Sequence, residues 1–81
     1  MTQKQKQIER CRNDLRYICE ELEISFYKMT RKGRTSKKDL RDRKRCVKLL
    51  RNYGYSYPVI GAVMRRDFST ILYLAKKASN D

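Results

Sequence analysis

Residues 56–78 read SYPVIGAVMRRDFSTILYLAKKA, and they are the most informative segment for the fold of this chain. Ser56 suits the N-cap of a helix, and Pro58 suits its first turn, where the missing N–H of proline leaves no hydrogen bond unmade. Asp67 suits the N-cap of a second helix, and apolar residues recur in both segments at helical spacing. The pattern therefore predicts two short helices joined by a polar turn, over residues 57–64 and 68–79.

Small and polar residues in this stretch stand where a helix-turn-helix requires them. Gly61 and Ala62 are small enough for another helix to cross the first one closely. Ser69 and Thr70 are polar residues at the start of the second helix, which is the end that enters the major groove of DNA in such motifs. We therefore expect a helix-turn-helix whose second helix reads duplex DNA.

Two longer helices are predicted upstream. The first spans residues 8–23 and carries one apolar stripe, formed by Ile8, Cys11, Leu15, Ile18 and Leu22. The second spans residues 38–53, with Ser36 as its cap, Leu40 among its inward residues and Gly54 at its end. Its outer face is expected to carry the basic residues Arg41, Arg43, Lys44, Arg45, Lys48 and Arg51.

The remaining segments are short and polar or irregular. Residues 1–7 are expected to be disordered, residues 24–29 to connect the first two helices, and residues 30–38 to form an exposed basic loop. No segment alternates with a period of two for long enough to predict a strand. The expected fold is one all-α domain over residues 8–81, a small bundle of four or five helices with the helix-turn-helix at its C-terminal end.

Charge is the strongest compositional signal. The chain of 81 residues has a formal net charge of +12, and residues 28–51 hold twelve Lys and Arg against two Asp. Residues 8–24, in contrast, hold three Arg against five acidic residues. A single-sign block of this kind is typical of an interaction surface, and nucleic acid is the expected partner. No apolar run is long enough to span a membrane, so a cytoplasmic, nucleoid-associated protein is expected.

The residues that usually carry catalysis or bind metals are scarce. The chain has no histidine, and its three cysteines lack CxxC spacing. We expect buried thiols, with no metal, cofactor or disulfide, and we expect a binding protein rather than an enzyme. A GxxxxGK[ST] phosphate-binding loop is also missing from the sequence.

The C-terminal stretch resembles the signature that ends the bacterial replication initiator DnaA, which reads approximately SLPEIGxxFGGRDHTTVxHAxxKI. The matching positions include Ser56, Pro58, Ile60, Gly61, Arg66, Asp67, Thr70 and Lys77. A weaker resemblance continues upstream, where ICEELEISFYKMTRKGR is similar to VAEYYNIKVEDLLSKKR, so that roughly residues 8–79 are covered. The sequence departs from the signature in a turn that is one residue shorter and in Phe68, which replaces a histidine.

The resemblance implies a Trp-repressor-like DNA-binding domain acting in replication initiation or transcription. Asp67, Ser69 and Thr70 fall at the start of its recognition helix, Tyr57 and Pro58 near DNA in the preceding helix, and Lys44 or Arg45 where an arginine enters the minor groove. Phe68 can pack on a thymine methyl group, which favours a different target sequence.

From charge and position alone we add Arg65 and Arg66 beside the turn, Tyr73 one turn into the helix, and basic residues of the loop and second helix. The candidate DNA-binding residues are therefore Arg34, Lys37, Lys38, Arg43, Lys44, Arg45, Tyr57, Pro58, Arg65, Arg66, Asp67, Phe68, Ser69, Thr70 and Tyr73.

Two other functions fit the same sequence. The basic charge and the tyrosines at positions 53, 55 and 57 would also suit a protein that binds RNA or single-stranded nucleic acid, although these tyrosines are expected to close the core around the turn. The acidic first helix would suit a module that docks a protein partner in a replication complex. The sequence leaves the target site, the oligomeric state and a phage or host origin open.

Overall fold

A computed structural model describes residues 2–31 and 36–80 of the chain, and these residues form five α-helices without a strand. The all-α fold class predicted from the sequence is confirmed. The helices are α1 (Gln3–Leu22), α2 (Phe26–Thr30), α3 (Lys37–Asn52), α4 (Tyr57–Met64) and α5 (Phe68–Asn80).

The first helix begins at Gln3, whereas the sequence predicted a start at Ile8 and disorder before it. Thr2 and Gln5 form a capping box: the Thr2 N–H donates to Gln5 Oε1 at 3.0 Å, and the Gln5 N–H donates to Thr2 Oγ1 at 3.2 Å. Such reciprocal bonds satisfy two of the backbone donors that a helix start leaves unpaired. Polar residues therefore extend the helix beyond its apolar stripe.

The connection after α1 is tighter than predicted and contains a helix of its own. Glu23 takes the left-handed conformation with a φ of 56°, and the Ile24 N–H donates to the Cys19 carbonyl at 2.8 Å. Ser25 then caps α2 by accepting from the Lys28 N–H at 3.3 Å. The two helices are thus joined by only three residues, and α2 makes the predicted connecting segment part of the bundle.

The ends of α3 agree with the sequence. Ser36 accepts a hydrogen bond from the Asp39 N–H at 3.1 Å, as expected of its N-cap. Gly54 has a φ of 99°, and the N–H of Tyr55 donates to the Leu50 carbonyl at 3.2 Å, which closes the helix as a Schellman motif does. The predicted loop over residues 30–38 is shorter, because Thr30 ends α2 and α3 begins at Lys37; residues 32–35 lie outside the described part.

The core lies where α3 packs on α5 and α1 packs on α4, with α4 and α5 also in contact. Its fully buried side chains include Leu15, Met29, Leu50, Ile60, Met64 and Ile71.

All three cysteines are buried and free, as predicted. Tyr55 and Tyr57 pack against this core as expected, whereas Tyr53 is 51% exposed, so its expected role in closing the core is wrong. Within the described ranges, none of the helices combines the length and apolar character needed to cross a membrane.

Candidate nucleic-acid interface

The start of α5 presents polar side chains to solvent. Asp67 is exposed and precedes the helix, and its carbonyl accepts the first helical hydrogen bond from the Ile71 N–H at 3.1 Å. Ser69 and Thr70 are exposed, and Tyr73 is 56% exposed. Because Ile71 and Leu74 are buried on the opposite side, the residues predicted at the start of a recognition helix are free of the core.

The turn between α4 and α5 depends on two unusual backbone positions. Arg65 takes the left-handed conformation with a φ of 58°, and the Arg66 N–H donates to the Gly61 carbonyl at 2.9 Å. A Cβ atom added to Gly61 would meet the Arg66 carbonyl oxygen at 2.8 Å and Ile71 Cγ1 at 3.5 Å. Gly61 thus permits the close approach of α5 that was predicted, whereas Ala62, the other small residue, is exposed. The turn needs only residues 65–67.

The start of α4 is held by an arginine from α3. Ser56 occupies the predicted N-cap, although its side chain makes no capping hydrogen bond, and Pro58 lies in the first turn. The Arg51 guanidinium lies 4.3 Å from the centroid of the Tyr57 ring, and its Nη1 donates to the Tyr55 carbonyl at 2.7 Å. Pro58 is exposed, whereas Tyr57 is partly covered by this contact. The role of Arg51 was missed, because nothing in the helical periodicity links it to Tyr57.

The outward face of α3 is almost wholly basic. Lys44 is half-buried, and the exposed cations of the helix are Lys37, Lys38, Arg41, Arg45, Lys48 and Arg51. Of the two carboxylates in the helix, Asp39 is buried at 6% exposure and Asp42 is half-buried. The surface of α3 therefore carries more positive charge than its composition indicates.

Arg43 is the exception, and its predicted place on the outer face is wrong. The side chain is 2% exposed, and its Nη2 donates to the carbonyl oxygens of Lys28 at 2.8 Å and Arg31 at 3.3 Å. Burial lowers the pKa of the guanidinium, and the nearby charge of Arg66 lowers it further, while Asp39 opposes the shift. Arg43 thus anchors the C-terminal end of α2 and cannot reach DNA from this position.

Two of the candidate DNA-binding residues are not fully described by the structure. Arg34 lies in the undescribed segment, and Phe68 begins α5 with a side chain that the structure does not describe. The other candidates lie in four short segments of one packed unit: the first nine residues of α3, the start of α4, the turn after it and the first two turns of α5. Arg66 is half-buried, so it is less accessible than Arg65.

Comparison with known proteins gives no match, since no family model, curated protein or solved structure is similar to this chain at a significant level.

Proposed function

We propose that the chain binds double-stranded DNA with sequence preference, and that α4 and α5 act as a helix-turn-helix in which α5 reads the bases. The observation that carries this proposal is the exposed polar start of α5. Asp67, Ser69 and Thr70 face solvent there, directly after Arg65 and Arg66. Short polar side chains at a helix start can approach base edges, while a helix N-terminus favours the negative phosphates.

The charge of α3 supports the same function. Its exposed lysines and arginines lie on a helix that packs against α5, so both elements belong to one packed unit. Lys and Arg supply most of the affinity of such proteins by neutralising phosphates, whereas contacts with base edges supply the specificity. On this proposal α3 holds the duplex and α5 selects the sequence.

The resemblance of residues 56–78 to the DnaA signature favours a role in replication initiation or in transcriptional regulation, in the cytoplasm and on the nucleoid. The chain would bind DNA without catalysing a reaction. The shortened turn and Phe68 favour a target sequence that differs from the one the DnaA domain binds.

Selection from a randomised duplex library tests the proposal most directly. We expect enrichment of one short motif, and the selected duplex should outcompete unrelated duplexes. If about six phosphates are neutralised, log K should fall against log salt with a slope of roughly −5. Recovery of no motif, with equal binding to every duplex, would contradict sequence-specific binding.

A competition assay separates the alternative, in which the chain binds RNA or a single strand. The selected duplex, either of its strands and an RNA of the same sequence would compete for the labelled protein. We expect the duplex to compete best. Stronger competition by the single strand or the RNA would replace the proposed function by the alternative.

A further inference from the structure

A cleft of about 320 Å³ opens between α1, α2 and α4, on elements other than the basic α3 and the start of α5. The residues that line it are Arg12, Phe26, Thr30, Ala62, Val63 and Arg65. Its lining is mixed: Arg12, Thr30 and Arg65 contribute polar groups, and an apolar strip is formed by Phe26, buried Val63 and exposed Ala62. Sequence analysis missed it because its residues come from three helices and the turn.

The rim of the cleft is positively charged. Arg12 and Arg65 are both exposed, and the Arg16 guanidinium lies 4.9 Å from the centroid of the Phe26 ring. Among the carboxylates that the structure describes, none forms an ion pair with Arg12 or Arg65. Asp14 and Glu9 are the acidic residues nearest to Arg12 along α1, and Glu9 shares a separate surface depression with Arg12.

We propose that this cleft is a docking site for an acidic segment of a partner protein, in which an apolar side chain is flanked by carboxylates. Arginine binds a carboxylate through two parallel hydrogen bonds. Arg12 in α1 and Arg65 in the turn after α4 offer two guanidinium groups for this purpose. The apolar side chain would lie against Ala62 and the part of Phe26 that Arg16 leaves uncovered, where it loses contact with water.

The chemistry of the cleft favours a peptide over nucleic acid. Arg16 covers the Phe26 ring, so that face is not available for stacking with a base. The hydroxyl of Thr30 donates to the Phe26 carbonyl at 3.0 Å, so that proton is not available to a phosphate. The docking proposal rests on observations other than those behind the proposed binding of DNA, although Arg65 is a candidate residue for both.

The probe for the experiment is a synthetic peptide, acetyl-DELFDEL-amide, with a control in which Ser replaces every Asp and Glu. Each is titrated into the ¹⁵N-labelled full chain, and amide chemical shifts are followed. We expect the acidic peptide to shift the amides of residues lining the cleft and the serine peptide to shift none. Failure of the acidic peptide to bind at millimolar concentration, or shifts centred on α3 and α5, would overturn the proposal.

Variants identify the site and separate it from the DNA surface. Arg12→Ser should weaken binding of the acidic peptide about tenfold, since a charge-assisted hydrogen bond is lost, and Ala62→Glu should do the same by adding a carboxylate to the cleft. Arg10→Ser, which removes the same charge from α1 outside the cleft, should have little effect. The alternative is that the cleft binds nucleic acid, and a parallel titration with duplex DNA tests it. If Arg12→Ser weakens duplex binding as strongly as it weakens peptide binding, the cleft belongs to a nucleic-acid surface and the proposal fails.

Discussion

The hydroxyl of Tyr55 donates a hydrogen bond to the Asp14 carboxylate, which joins the turn before α4 to the middle of α1 across 41 positions of sequence. Both residues are half-buried, so the bond is sheltered from competing water. Tyr55→Phe removes the donor and should lower the free energy of unfolding by about 1–2 kcal/mol. Urea denaturation of the two proteins at neutral pH measures this difference, and equal midpoints would show that the bond adds nothing.

The same bond predicts a dependence on alkaline pH. Burial and the bond to Asp14 raise the pKa of Tyr55 to about 12. A raised pKa stabilises the fold fully below the ordinary tyrosine value of about 10, and this contribution is lost as the pH rises through 12. The stability difference between wild type and Tyr55→Phe should therefore shrink between these pH values. Lysine titration affects both proteins alike, so the difference isolates Tyr55.

Arg43 should be the arginine on which stability depends most. Arg43→Ala leaves the Lys28 and Arg31 carbonyls without their donor and empties a buried position, so we expect a loss of about 3 kcal/mol. Arg41→Ala removes an equal charge from an exposed position of the same helix and should change stability by less than about 0.5 kcal/mol. Thermal unfolding compares the two variants. Equal effects would mean that the buried hydrogen bonds are energetically unimportant.

Gly61 is predicted to resist even the smallest substitution. Alanine usually favours a helix over glycine by about 1 kcal/mol. Here its Cβ would lie 2.8 Å from the Arg66 carbonyl oxygen, which is backbone and cannot move without shifting the start of α5. We expect Gly61→Ala to destabilise the protein by about 1–3 kcal/mol. Ala62→Ser, at the exposed neighbouring position, serves as the control, and a Gly61→Ala protein as stable as wild type would refute the close approach.

Glu23 offers the opposite case, a site where glycine should help. Its left-handed conformation costs an ordinary residue roughly 1–2 kcal/mol, and its carboxylate lies at the negative end of the α1 dipole. Glycine would remove both costs, but part of this gain in stability is offset because glycine is more flexible in the unfolded chain. Glu23→Gly should therefore raise the free energy of unfolding by about 0.5–1 kcal/mol. Glu23→Ala removes the charge but keeps the backbone strain, and a gain as large in this variant would assign the effect to charge alone.

The division of labour between α3 and α5 can be tested with paired variants. Replacing Ser69 and Thr70 by alanine should reduce the preference for the selected duplex by about tenfold or more, because base contacts supply discrimination. Replacing Lys37 and Lys38 by alanine should weaken binding to all duplexes alike and reduce the salt slope by about 2. Lys4 and Lys6, which are exposed at the start of α1, provide a control with the same loss of charge. If the two pairs of variants behave identically, the roles proposed for α3 and α5 are wrong.

Most of the helices could be predicted because caps and apolar spacing are local properties of the sequence. Ser36, Gly54 and Pro58 all lie where their backbone preferences indicated. The helix α2 could not be found in this way, since five residues are too few to reveal a helical period. The polar start of α1 was missed for a related reason, because its capping box involves no apolar residue.

The buried face of α3 shows why its arginines could not be sorted from the sequence. An apolar pattern assigns Leu40 to the core, yet this side chain is 37% exposed, and the buried stripe continues instead through Asp39 and Arg43. Arg31 lies beside Asp39, and the carbonyls of Lys28 in α2 and of Arg31 directly after it accept from Arg43. Burial of these charges depends on partners 8 to 15 positions away, so the composition of the helix alone cannot reveal it.

The contacts of Arg43 also determine which parts of the chain open together. A five-residue helix has no stability of its own in water, so α2 is helical only while its neighbours hold it. Its last carbonyls are bound by a side chain of α3. In hydrogen exchange we therefore expect the amides of α2 to share the opening free energy of α3, although α2 directly follows α1 in the sequence.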